Sequence, residues 1–148
     1  RMYAKELYIS GTDNQFTGAI GVFERLLKKE GCTPDELQYA CIILARAYRI
    51  MEQEDKFFKY AIKVALSEGC SEICMELGDY YREKGDLDEA HLWYYNAAFE
   101  TTPVCNIHMG GDTALNALAE VLDASGLKEQ ADAYREQAEI WKKNLINI

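Results

Sequence analysis

The stretch Leu77-Gly78-x-x-Tyr81, then Ala90, Tyr94 and Ala97, closed by Pro103, sets a small residue beside a large one and follows it with a small–aromatic–small stripe. At 3.6 residues per turn these positions line one face of each of two helical segments, so the pair buries its stripes against each other. The pattern returns along the chain. Leu44-Ala45-x-x-Tyr48 is followed by Phe57, Ala61 and Val64, and Leu118-Ala119-x-x-Leu122 by Gly126, Ala131 and Ala138. Tyr3-Ala4-x-x-Leu7 is followed by Gly11, Ala19, Phe23 and Leu26. In one copy the bulk changes sides: Phe57 stands where Ala90 does, and Ala61 where Tyr94 does. A volume-conserving exchange of that kind is what a packed helix–helix contact tolerates.

Measured at the small first-helix residue, Ala4 to Ala45 spans 41 positions, Ala45 to Gly78 spans 33, and Gly78 to Ala119 spans 41. Pattern and middle step resemble the tetratricopeptide repeat, a helix–turn–helix of about 34 residues. In the first unit the extra residues fall in the Gly11–Gln15 turn and around Lys28–Glu36; in the third they lie between Phe99 and Gly111. The resemblance implies an all-α fold, an α–α superhelix of about four helix pairs. It would be one domain over residues 1–148, with repeats near 1–30, 34–69, 71–103 and 112–146. Four copies exceed the minimum of about three for a stable stack.

Local signals agree with eight helices. Thr33, Pro34 and Glu36 spell an N-cap, a first helical residue and a capping-box partner, and Asp86 with Glu89 repeats the box. Gly31, Gly69, Gly85 and Gly126 fall where helices should stop. Nothing alternates with period two over a useful length, so no sheet is expected. A last helix from about Leu127 to Leu145 carries Tyr134, Ala138 and Trp141 at helical spacing, and is expected to cover the end of the stack.

The chain sets 25 Asp+Glu against 16 Lys+Arg, a formal charge of −9 in 148 residues. So acidic a protein is poorly suited to hold nucleic acid or an anionic bilayer through bulk charge. No stretch reaches the roughly 18–20 apolar residues of a membrane span. Cys32, Cys41, Cys70, Cys74 and Cys105 are odd in number and irregularly spaced, which points to reduced thiols and a cytoplasmic setting. Residue 1 is Arg, so the chain is expected to be a piece of a longer protein.

Motifs that could carry chemistry have simpler readings. Asp86-Leu87-Asp88 is a pair of carboxylates suited to a hard cation, yet it falls in a helix–helix turn where Asp86 serves as N-cap. Cys70 with Cys74, and Cys105 with His108, imitate parts of a zinc set. Cys41 and Cys74 share one core position of neighbouring repeats, though, and a buried cysteine behaves as a small hydrophobe. His91 has no evident partner, and Gly110-Gly111 reads as a flexible lead-in to the next helix. No nucleophile elbow, phosphate loop or H-E-x-x-H occurs. In Trp93-Tyr94-Tyr95 the middle ring is a core residue, and one neighbour is a candidate anchor for a second subunit. No catalytic residue, metal or cofactor is expected.

In a tetratricopeptide stack the first helix of each pair lines the concave face. Positions between the packing residues are then the ones open to a ligand: Lys5, Tyr8, Tyr39, Arg46 and Arg49 in the first two units. In the last two they are Glu72, Glu76, Asp79, Arg82, Glu83, Asn116, Glu120 and Asp123. That face runs from basic to acidic, a gradient able to orient an extended peptide.

Several runs resemble the C-terminal tail of bacterial family 2 glycosyltransferases. They are Tyr3 to Tyr8; Ala19-Ile20 through Phe23 to Leu27; Ala40-Cys41 with Leu44-Ala45 and Tyr48; and Ser71 to Cys74 with Leu77-Gly78. Glu83-Lys84-Gly85, Ala90 and Trp93-Tyr94 with Ala97 complete them. The resemblance covers about residues 2 to 100. It implies a parent enzyme that transfers a sugar, and a non-catalytic tail that holds a protein or peptide acceptor. The alternative role is to join two enzyme copies as a homodimer.

Overall fold

The computed structural model describes residues 13–67 and 69–146, without the side chains of residues 13–17 and 19. The first expected helix, around Tyr3 to Gly11, lies outside these. The protein is all-α, and among the described residues there is no strand. Among the described residues seven α-helices follow in order: α1 (Asp13–Lys28), α2 (Pro34–Ile50), α3 (Glu54–Ala65), α4 (Ser71–Glu83), α5 (Leu87–Tyr95), α6 (Asp112–Ala124) and α7 (Lys128–Ile146). A π-helical turn, Asn96–Glu100, extends α5, and a 3₁₀ turn, Ile107–Gly110, leads into α6.

Helix starts follow the expected chemistry. The Thr33 hydroxyl accepts from Glu36 N at 3.1 Å, and the Glu36 carboxylate reaches back to Thr33 N at 3.4 Å, a complete capping box with Pro34 behind it. Asp86 caps α5 by accepting from Glu89 N at 3.2 Å. The reciprocal half of that expected box is replaced, because the Asp86 N–H is already spent on the Tyr81 carbonyl at 2.9 Å.

That bond belongs to a helix end made three times among the described residues. Gln53 N donates to Tyr48 O, Asp86 N to Tyr81 O and Leu127 N to Leu122 O, each at 2.9 Å. One residue earlier, Glu52, Gly85 and Gly126 donate to Arg49, Arg82 and Asp123. Together these are the paired bonds that close a helix through a left-handed residue. The accepting carbonyls belong to Tyr48, Tyr81 and Leu122, the closing large residues of the sequence pattern. Gly85 and Gly126 supply φ of 80°, whereas Glu52 adopts φ 59° with a side chain.

The chain divides into two compact units, Arg1–Gly69 and Cys70–Ile148. In the first, α2 packs between α1 and α3. Six consecutive α2 residues, Ala40 to Ala45, are buried. Phe57, Tyr60, Ala61 and Val64 of α3 complete that core. In the second unit α4 packs on α5, α5 on α6 and α6 on α7. Its core joins Cys74, Met75, Ala90, Tyr94, Ala97, Ala114, Leu118 and Val121.

Candidate functional site

The expected ligand-facing residues meet different fates. Lys5 and Tyr8 lie outside the described residues. Tyr39, Arg46 and Arg49 sit half-buried on α2. In the second unit Asp79 accepts the Tyr94 hydroxyl, Arg82 of α4 pairs with Glu120 of α6, and Asp123 binds Arg135 of α7 through two nitrogens at 2.8 and 3.0 Å. Glu83 is exposed and Asn116 half-buried. The Arg82–Glu120 pair links α4 to α6 within this unit.

Glu72 and Glu76 correct the expectation, since both are wholly buried. The cause at Glu72 is the inserted loop. It turns back over the start of α4 and aims three consecutive backbone N–H groups, from Val104, Cys105 and Asn106, at the Glu72 carboxylate over 2.5–3.0 Å. A buried carboxylate needs donors of that number to replace water. The same loop is anchored by Ser71 N to Thr102 O at 3.0 Å and by the Ser71 hydroxyl to Ala97 O at 2.9 Å.

Gly110-Gly111 is likewise no flexible lead-in. A Cβ on Gly110 would meet Pro103 and Ser71 at 2.9 Å, and one on Gly111 would penetrate the Trp141 ring. Both glycines are there for close approach. His108 follows the same packing: its Nδ1 lies 2.6 Å from Asp112 Oδ1, and its ring meets Trp141 edge-on at 5.3 Å.

Burial governs the cysteines. It pushes the Cys74 thiol up to about 11 and raises those of Cys41 and Cys70 as well, so all three stay protonated at neutral pH. Cys74 receives the Thr101 hydroxyl at 3.9 Å, and Cys105 lends its backbone to Glu72. Among the described residues no group of three or more His, Cys, Asp and Glu is placed to hold a metal.

Two features of the first unit have no counterpart in the sequence reading. The Tyr48 and Tyr60 hydroxyls converge on the Glu24 carboxylate at 2.8 and 3.1 Å, their rings stacked 5.9 Å apart, so one residue of α1 is tied to α2 and α3. The Tyr48 hydrogen bond leads in holding Glu24 below its ordinary value, with Tyr60, Lys56 and Lys59 acting in the same sense. The second feature is a mainly apolar cleft of about 240 Å³ between the start of α2 and the end of α3. Pro34, Leu37, Gln38 and Cys41 form one wall; Lys63, Val64 and Ser67 form the other. Paired tyrosines a dozen residues apart, and exposed Leu37 beside a helix start, were the available signals.

In the aromatic run, Tyr94 is fully buried and Trp93 packs on the core. Tyr95 is exposed on α5 and lies against Phe99, which in turn meets Tyr134 at 6.2 Å. Among the described residues no helix is long and apolar enough to cross a membrane. No protein-family model, curated protein or solved structure matches the chain.

Proposed function

We propose that this chain is a non-catalytic protein-interaction module, an α–α superhelix of tetratricopeptide type that offers its first-helix faces to a peptide or protein in the cytoplasm. The observation that carries the reading is the helix end repeated at Tyr48, Tyr81 and Leu122 with spacings of 33 and 41 residues. Those spacings are the ones at which Ala45, Gly78 and Ala119 recur. A fold assembled from copies of one helix pair presents several equivalent faces on a rigid frame, which lowers the ordering cost of binding. The runs that resemble family 2 glycosyltransferase tails support such an enzyme as the parent, with the bound protein or peptide as its acceptor.

The test begins with the partner captured by the intact chain and identified, followed by its affinity for Arg46→Glu/Arg49→Glu. Weakening of about tenfold or more with helicity unchanged is the expected result. An unchanged affinity would remove the charged faces from the proposal. Self-association is the second reading, favoured by exposed Leu92, Tyr95 and Phe99 in the second unit. Mass in solution across a concentration series separates the two, because only self-association makes the mass rise with concentration.

A further inference from the structure

We propose that the cleft between α2 and α3 is an anchor pocket that takes one aliphatic side chain of an extended peptide, with a carboxylate next to it held by Lys63. This deepens the interaction-module reading and rests on it. The argument starts from the 33-residue step. Gln38, Cys41, Lys63 and Val64 line the cleft, and 33 places on stand Ser71, Cys74, Asn96 and Ala97. In the second unit that set is filled by the chain's own Thr101. Its hydroxyl donates to Asn96 O at 2.9 Å, lies 3.1 Å from Ser71 Oγ and reaches Cys74 Sγ at 3.9 Å. Thr101 itself is extended, at φ −133° and ψ 170°, and is followed by Thr102 and Pro103 outside any helix. The second unit therefore displays the kind of occupant this position accepts: a small branched side chain on extended backbone.

Differences between the two sets define the ligand of the open one. Ser71 is replaced by Gln38, whose amide donates to Gly69 O at 3.5 Å, and Ala97 by the larger Val64, so the hydroxyl that meets Thr101 is gone and the wall carries more apolar surface. An aliphatic anchor suits that surface better than a threonine. Lys63, where the second unit has Asn96, is exposed and has no ion-pair partner among the described residues. It supplies a cation at the rim. A volume of about 240 Å³ falls below the usual 300–1,000 Å³ of small-molecule and cofactor sites, which favours a side-chain anchor over a cofactor.

The probe is the pentapeptide acetyl-Glu-Leu-Thr-Pro-Val-amide, which copies residues 100–104 with leucine in place of Thr101. Titrated to millimolar concentration into the intact ¹⁵N-labelled chain, it should shift the amides of Leu37, Cys41, Lys63 and Val64. Ser67→Phe, at an exposed rim position, should abolish those shifts while the helical spectrum is kept. Lys63→Glu should weaken binding about fivefold and reverse the preference toward a peptide that begins with lysine. A glycine in place of the leucine should remove binding. Shifts confined to α4 and α6 would overturn the pocket while leaving the module reading intact. Shifts at the four cleft residues that survive both variants, or none in a chain that still binds its partner, would overturn it too.

Discussion

The ring of Tyr94 lies where a side chain on residue 78 would begin: a Cβ on Gly78 would stand 2.5 Å from Tyr94 Cε1. This contact joins α4 to α5, and the Tyr94 hydroxyl continues to Asp79. At the corresponding positions of the preceding pair stand Ala45 and Ala61, both fully buried. The added methyl is accompanied there by loss of the ring. Gly78→Ala is therefore expected to destabilise the chain by about 1–3 kcal/mol through overpacking. Tyr94→Ala alone should cost about 3–5 kcal/mol by leaving a cavity. In that background Gly78→Ala should become neutral or favourable, since alanine is the better helix former by about 1 kcal/mol. Urea unfolding of the four members of the cycle checks this; equal costs in both backgrounds would place the strain elsewhere.

Glu72 holds three backbone N–H groups of the inserted loop. Glu72→Ala strands those donors and should cost about 3 kcal/mol, while Glu72→Gln keeps an acceptor and should cost less. Amide hydrogen exchange at Val104, Cys105 and Asn106 is the direct readout. It should accelerate in Glu72→Ala ahead of any change at the core of α4. Protection that persists at all three amides would mean the loop is held by Ser71 alone.

The sequence displays the helix-pair pattern because local rules and packing agree there. Thr33, Asp86 and the glycines at positive φ act within a few residues of themselves, so their roles can be read without neighbours. Glu72 and Glu76 are misread for the opposite reason. Their spacing assigns them to an open face, and what buries Glu72 is a loop some 30 residues away. Seven inserted residues carry no repeat position, so nothing in their pattern says which carboxylate they will meet. Gly110 and Gly111 fail similarly: a glycine needed for a turn and one needed beneath a tryptophan look alike until Trp141 is in place. Tyr48 is legible as a core ring, but the destination of its hydroxyl at Glu24 is not.

The Glu24 cluster sets a pH response for the first unit. Glu24 is held below its ordinary value of 4.5, chiefly by the Tyr48 hydroxyl, so its contribution to stability is full above that value. It is lost as pH falls through the lower folded-state value. Tyr60 is pushed up to about 12, mainly by burial, and Tyr48 is raised for the same first reason. Their contribution is full below the ordinary phenol value near 10 and lost as pH rises through the raised folded-state values. Stability should thus fall on both sides, below about pH 4.5 and above about pH 10. Tyr48→Phe should flatten the acid limb in thermal melts recorded across pH. An acid limb that is identical in Tyr48→Phe would assign it to other carboxylates.

Three helix ends share one geometry, but only two use glycine at the left-handed residue. Gly85 and Gly126 have φ 80° at no steric cost, whereas Glu52 is held at φ 59° by the bonds from Glu52 N to Arg49 O and from Gln53 N to Tyr48 O. A side chain in that region is disfavoured by roughly 1–2 kcal/mol. Glycine relieves this strain but gives back part of the gain through the freedom of the unfolded chain. Glu52→Gly should therefore raise stability by about 0.5–1 kcal/mol, and Gly85→Glu should lower it by a similar amount. Paired urea titrations of both variants decide the matter. Opposite shifts in midpoint with an unchanged slope are expected, and a destabilised Glu52→Gly would mean that the Glu52 side chain holds something the backbone strain is there to serve.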